Sequence, residues 1–440
     1  MNQHQEEQEE VTGLVCQEAD LKDGQMKEVT VEDQKVLLVR TSGQYSAVGS
    51  QCTHYNAPLV KGALVGGRVR CPFHGACFNV KTGDIEEYPG LDCLPSYKVK
   101  VEDGKVYVSI NKKFHLLMYK FNREGLNLHV VFAGPASLVC AETLRQHCYQ
   151  GRIVMVTKDT LPPFDKPKLS KAMNLDSDDI LLRSSDFFQQ CGIEVWTKKE
   201  AVSVNPSEKV VKLSDGSLQH YDQLLISTGC RLDLVLMLEE HNVKFYMSDS
   251  VTEIRGENGK VKAVVLKSGA VLEADAVIAG IGVLPNSDFL VGSQVELDSR
   301  KAVIVDKFMR TNMPDVFSAG DVTSFPLTIR GDQRVNIGHW QMSQAHGRVA
   351  ALNMLQKPTK IESVPFFWTV LLGKSIRYTG YGNGYTEIIF KGKVEERKFL
   401  AFYIKDEVVV AAASLMFDPA VSRLAEMMAT GQIITKAQAQ

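Results

Sequence analysis

The sequence predicts a multidomain protein: a small all-β domain at the N-terminus, an α/β domain after it, and an α+β domain at the C-terminus. Three observations carry that prediction. Roughly residues 11–110 show short alternating apolar and polar runs punctuated by Gly, Ser and Asp turns; a strand, turn, helix, strand grammar begins at His129; and past residue 356 alternating strands return. A length of 440 residues leaves room for two or three such domains, each with its own core.

In the first domain, VCQEADLKDGQMKEV and QKVLLVRTSGQYSAVGSQ read as short strands with a turn at Ser42-Gly43. Near its end Tyr97, Val99 and Val101 alternate, Asp103-Gly104 turns the chain, and Val106, Val108 and Ile110 return it. The stretch from Cys52 to Phe78 breaks this rhythm. It places C-x-H, then sixteen residues, then C-x2-H on two loops bordered by Gly and Pro: Cys52, His54, Cys71 and His74. A structural zinc usually pairs Cys with Cys or His with His on each arm, and here each arm carries one of each. Two thiolates on one iron and two imidazoles on the other, the Rieske arrangement of a [2Fe-2S] cluster, use this pattern with both loops gripping both halves. Zinc, and four ordinary loop residues, remain as alternative readings.

The α/β domain opens with a strand from His129 to Phe132, a tight turn at Ala133-Gly134-Pro135, a helix with Leu138, Val139 and Leu144 inward, and a strand from Arg152 to Thr157. A βαβ unit of this kind points helix N–H groups at a pyrophosphate. The fingerprint G-x-G-x-x-G/A is altered, with Phe132, Gly134 and Ser137 at its three small positions, so a merely structural βαβ unit is the alternative. Later come LPPFDKPKLSKAM, YDQLLISTGC, DAVIAGIGVLPN and TNMPDVFSAGDVTSFP, and then a C-terminal part containing VPFFWTVLLGKSIRYTGYG and two strands at 397–404 and 407–415.

The first domain resembles a Rieske domain of the ferredoxin type. The four later stretches occur in the order found in FAD-containing pyridine-nucleotide reductases. Rieske first and reductase second resembles the apoptosis-inducing-factor-like family. The resemblance implies a division into a tail at 1–10, a Rieske domain at 11–110, a linker at 111–128, an FAD-binding, Rossmann-like domain at 129–233 and 284–355, an NAD(P)H-binding lobe at 234–283, and an interface domain at 356–440. It implies FAD contacts from Gly134, Pro135, Ala136, Pro167, Lys171, Thr228, Gly229, Gly320, Asp321 and Trp340. Lys171 would stand near flavin N5, where its charge favours the reduced anionic flavin, and Asp321 would accept a sugar hydroxyl. Trp340 and Trp368 either flank the flavin or belong to the core; His339 and His346 read as structural or surface residues.

High-potential members of the Rieske family add a Cys to each loop and a hydroxyl near the cluster sulfur. Ala57, Phe73 and Ala76 occupy the matching places here. Fewer hydrogen bonds predict a potential near the lower end of the roughly −150 to +300 mV Rieske range. In the family a nicotinamide reduces FAD, which passes single electrons to the cluster and on to an acceptor protein that no motif identifies; a role promoting cell death is attached to some members.

The chain departs from that pattern between Gly229 and Val243, where thirteen residues replace the strand, helix and strand of a second dinucleotide domain. Such a βαβ unit needs about 30 residues. The next stretch, NVKFYMSDSVTEIRGENGKVKAVVLKSGAVLEADAVIAG, reads as strands joined by turns at Asn258-Gly259 and Gly269. A shortened form is expected, from splicing or an imperfect gene model, and with it two functions: an NAD(P)H to FAD to [2Fe-2S] oxidoreductase, or a non-catalytic Rieske carrier or binding module with a disabled reductase half.

Composition supports neither nucleic-acid binding nor a membrane span: net charge is −2, and no apolar run reaches spanning length. The start, MNQHQEEQEE, reads as a solvated tail without the arginines of a mitochondrial presequence. The sequence-based address is cytoplasmic, with mitochondrial association implied only by the resemblance. Nine cysteines, an odd number set mostly in apolar patterns, predict a reduced compartment; Cys77 and Cys93 are the pair that could tempt a disulfide assignment.

Overall fold

The computed structural model describes residues 10–111, 128–132, 134–169, 176–229, 244, 246, 248–277, 283–371 and 373–440, with the side chains of 111, 128–132 and 371 excepted. The chain divides into two compact units, residues 1–229 with 286–440, and residues 230–285.

The first unit begins with a six-stranded antiparallel sheet, in the order Glu10–Gln17, Lys105–Asn111, Ser96–Glu102, Gln44–Gly49, Gln34–Thr41, Gln25–Val31. The turn Asp103-Gly104 joins two of these strands with both residues at positive φ, the conformation that a tight hairpin requires. A smaller four-stranded sheet, Ala63–Val65, Arg68–Arg70, Cys77–Asn79 and Ile85–Glu87, sits beside it. Leu37, Val39, Val48, Leu59, Val69, Phe78 and Val80 pack together as an apolar floor under the Cys and His loops.

The α/β domain is a five-stranded parallel sheet in the order Ile193–Trp196, Arg152–Val156, Leu128–Phe132, Gln223–Ile226, Val316–Ser318. The first strand of the βαβ unit lies in the centre, and the order reverses around it, which is the doubly wound pattern with its ligand crevice at the switch point. Helix Pro135–Gln146 follows that strand and packs on helix Trp340–Met354. Ile153, Val154, Met155, Leu224, Leu225 and Ile226 are inaccessible to solvent, as a sheet covered on both faces requires. The C-terminal domain is a five-stranded antiparallel sheet in the order Phe366–Leu371, Lys374–Gly380, Val408–Leu415, Lys398–Lys405, Glu387–Lys393, with helix Ala420–Ala429 against it.

The second unit holds one antiparallel sheet, Val251–Glu257, Lys260–Leu266 and Val271–Glu273, turned at Asn258-Gly259 and at Gly269. Among its described residues there is no helix. In the first unit Thr228 Oγ1 donates to the Asn286 carbonyl at 2.7 Å, Asn286 Nδ2 donates to the Thr228 carbonyl at 3.1 Å, and Asn286 N donates to the Gly229 carbonyl at 3.0 Å. The chain therefore leaves and rejoins this unit at adjacent points.

Candidate redox site

The two loops of the small β domain are built alike. Cys52 N donates to the Ala57 carbonyl at 2.9 Å, and Cys71 N donates to the Ala76 carbonyl at 2.7 Å. The fourth residue after each Cys, Asn56 in one loop and Gly75 in the other, has positive φ (+52° and +79°). Asn and Gly are the residues that enter this left-handed region most readily. Each loop then wraps two backbone N–H groups onto its own sulfur, those of His54 and Tyr55 onto Cys52 and those of Phe73 and His74 onto Cys71, with Phe73 N 3.4 Å from Cys71 Sγ.

The pairs meet as thiol with thiol and imidazole with imidazole. Cys52 and Cys71 share a hydrogen bond that raises the first thiol and, with the N–H donors, lets Cys71 fall to about 7. His54 Nδ1 and His74 Nδ1 face each other at 3.0 Å. Burial lowers His54 to about 4 and His74 to about 3, so both rings are neutral and have a lone pair to offer a metal. No three His, Cys, Asp or Glu among the described residues surround a single point as a lone ion would need. Two sulfurs together and two nitrogens together suit a two-iron cluster, and the N–H donors aimed at sulfur suit its negative charge.

The reductase part covers this site. The Trp368 ring lies 5.1 Å from that of His74 and 6.0 Å from that of His54, and His339 packs against Trp368 at 4.7 Å. Trp368, read from the sequence as a flavin neighbour or core residue, thus stands against the two histidines. Tyr55 stacks edgewise on His54 at 4.3 Å and donates its hydroxyl to Asp165 Oδ2 at 2.8 Å. Fully buried Arg70 donates to fully buried Glu426, and its Nη1 donates to the Gly75 carbonyl at 2.8 Å. Gln344 on helix Trp340–Met354 exchanges two hydrogen bonds with Gly90, at 3.4 and 3.1 Å. Arg183 bridges Glu142 and Asp92, both at 2.8–2.9 Å. None of these partners carries a sequence motif; only a contact map would have found them. Cys77 and Cys93 are free thiols, the first buried and the second exposed.

At the switch point of the parallel sheet, Gly134 precedes helix Pro135–Gln146, whose start has no side-chain cap, so its first-turn N–H groups are available to an anion. Gly320 has φ of +81°, Ser343 Oγ donates to Asp321 Oδ1 at 2.8 Å, and Gly320 N donates to His346 Nδ1 at 3.2 Å. His346 is inaccessible to solvent, and its Nε2 has no protein partner. Trp340 opens its helix half-buried, and Pro167 sits in the short helix Lys166–Leu169. Lys171 lies outside the described residues, as does the side chain of Phe132. The uncapped helix start, the close backbone approach at Gly320 and the nearby carboxylate suit the pyrophosphate and sugar of a flavin dinucleotide.

Comparison with known proteins agrees with this geometry. A Rieske [2Fe-2S] domain matches residues 12–98, a pyridine nucleotide-disulphide oxidoreductase matches 127–235 and 234–347, and a reductase C-terminal domain matches 366–440. The two oxidoreductase segments abut where the sequence is short of a βαβ unit. Apoptosis-inducing factor 3 of Homo sapiens is 40% identical over 519 aligned residues, covering 98% of this chain and 86% of the relative. That of Mus musculus is 39% identical over the same span. The solved putidaredoxin reductase-putidaredoxin complex superposes with a TM-score of 0.65 at 20% identity, covering 72% of this chain and 96% of that one, which shows a shared fold. The chain belongs to the apoptosis-inducing factor 3 family, FAD-dependent pyridine nucleotide-disulphide oxidoreductases that carry a Rieske [2Fe-2S] domain for electron transfer.

Proposed function

We propose that Cys52 and Cys71 hold one iron of the cluster and His54 and His74 the other, and that electrons pass to it from a flavin held by the helix start at Gly134, Pro135 and Ala136, by Pro167, Thr228 and Gly229, by Gly320 and Asp321, and beside Trp340. The observation that carries this reading is the pairing of like with like, Nδ1 facing Nδ1 at 3.0 Å beside two sulfurs that share a hydrogen bond. When bound, the flavin takes an electron pair and the cluster carries electrons singly. The protein's own work is to neutralise the pyrophosphate with helix N–H groups, to hold Asp321 through the Ser343 hydroxyl, and to keep water from the histidines with Trp368 and Tyr55. Lys171 is proposed beside flavin N5. The division into tail, Rieske domain, linker, FAD-binding domain, nicotinamide lobe and interface domain is proposed with it.

What is described of residues 230–285 fits a nicotinamide poorly. Their described part is an antiparallel sheet with no helix start to receive a second pyrophosphate. This favours a second reading, a non-catalytic Rieske carrier or binding module with a disabled reductase half. An anaerobic visible spectrum, recorded before and after excess NADH and then dithionite, decides between them. Bleaching of flavin and cluster bands by NADH supports the oxidoreductase; bleaching by dithionite alone supports the carrier.

A ferredoxin-like redox protein is proposed as the acceptor, on the ground that a solved protein of this fold is a reductase complexed with putidaredoxin. The part in cell death that the relatives' name describes is likewise a proposal. Among the described residues no helix is long and apolar enough to cross a membrane. Cell fractionation decides between a cytosolic address and association with mitochondria.

A further inference from the structure

Arg377, on strand Lys374–Gly380 of the C-terminal domain, is only 3% exposed. Its Nε donates to the Pro72 carbonyl at 3.4 Å, and its Nη1 donates to the carbonyls of Ile376 and Thr369 at 2.9 and 3.3 Å. Pro72 lies between Cys71 and His74, so one domain presses a positive charge onto the ligand loop of another. The Pro72 carbonyl that receives this hydrogen bond belongs to the residue directly after Cys71 and two before His74.

Counterions decide which nearby cation matters. Arg70, which ends the strand that leads into this loop, is neutralised by Glu426, with both side chains fully buried. Arg377 has its carboxylate partner, Asp418, at 4.0 Å, and that side chain is 29% exposed and held by the Ser375 hydroxyl at 2.9 Å. Lys168 spends its ammonium on the Asp179 carbonyl at the surface, at 2.9 Å. Among the described residues Arg377 is therefore the buried cation at the loop with the weakest compensation.

We infer that Arg377 is a positioning residue through which the C-terminal domain raises the reduction potential of the cluster, with Asp418 partly opposing it. The inference rests on the assignment of Cys52, His54, Cys71 and His74 as ligands. Reduction adds one electron, hence one negative charge, and a buried cation close by stabilises that state more than the oxidised one. Ala57, Phe73 and Ala76 give the two loops no polar side chain at those positions, so the positive charge comes from the neighbouring domain.

The test is an anaerobic redox titration of the full-length protein, following the electron paramagnetic resonance of the reduced cluster, with iron and sulfide measured on every sample. Arg377→Gln should lower the midpoint so that the oxidised-to-reduced ratio at a fixed poise rises about tenfold, roughly 59 mV for one electron. Arg377→Lys should stay close to the unaltered protein, and Asp418→Asn should shift the midpoint upward. Unchanged midpoints in Arg377→Gln and Asp418→Asn at full cluster content would overturn the inference, as would shifts of the same sign. Should Arg377→Gln lose the cluster, the Asp418→Asn midpoint decides alone: an upward shift supports the inference and no shift overturns it. A full-length protein that binds no iron or sulfide would instead sink the ligand assignment, and this inference with it.

Discussion

Gly75 has φ of +79°, and a methyl group there would lie 2.6 Å from the Phe366 ring of the C-terminal domain. Left-handed backbone alone costs an ordinary residue roughly 1–2 kcal/mol, and the ring leaves no space besides. Gly75→Ala should therefore lower both the thermal midpoint and the iron content. Gly104→Ala is the control, with φ of +70° and open space around it, and should lower the midpoint only slightly while iron is retained. Equal losses in the two variants would mean the Phe366 contact is unimportant. His346 gives a pH test. Burial lowers it to about 3, against an unfolded value near 6.5. The unfolded chain binds the proton first, so stability is complete above about pH 6.5 and declines as pH falls toward 3, each tenfold of proton affinity amounting to about 1.4 kcal/mol. The urea midpoint measured from pH 7 to pH 4 should fall less steeply in His346→Gln than in the unaltered protein. At this scale the C-x-H and C-x2-H spacing pointed to Cys52, Cys71, His54 and His74 as one group while leaving zinc open, and the structure brings Cys52 to Cys71 and His54 to His74. The backbone N–H donors to sulfur were not legible, since they depend on the exact turn of each loop, and neither was the part of Trp368 and Arg377, which depends on contacts hundreds of residues apart.

The helices Pro135–Gln146 and Trp340–Met354 cross where Gly347 meets Ala136. A Cβ at Gly347 would fall 2.1 Å from the Ala136 carbonyl oxygen. Gly347→Ala must push the helices apart at the helix start proposed to hold the flavin, and overpacking of this kind costs about 1–3 kcal/mol. The expected outcome is loss of bound flavin, read from absorbance, with the cluster bands retained; a variant that keeps its flavin would show that the helix start tolerates displacement. The βαβ unit was readable from periodicity, since strand 128–132, helix 135–146 and strand 152–156 fall within a residue of the pattern. Sequence periodicity records which residues are buried but not which element buries them, so Arg183, Gln344 and Glu426, polar residues that fasten one domain to the next, carried no signal.

Across the whole molecule, residues 230–285 begin and end at hydrogen-bonded neighbours, Thr228, Gly229 and Asn286. Replacing 230–285 with a short Gly-Ser linker should leave flavin and cluster contents unchanged, as absorbance and iron analysis would show; loss of either would mean that the segment supports the first unit. The deficit of chain after Gly229 was visible as simple length, because strand, helix and strand cannot fit in thirteen residues. The tight fastening of the small β domain was not visible, and it has a kinetic meaning. Two separate redox proteins must collide, so their exchange rate rises with concentration and, when charges steer the encounter, falls with added salt. Here Arg183, Gln344 and Glu426 hold both halves together within one chain. The proposed transfer between them would then be first order, set by a fixed distance, and indifferent to dilution.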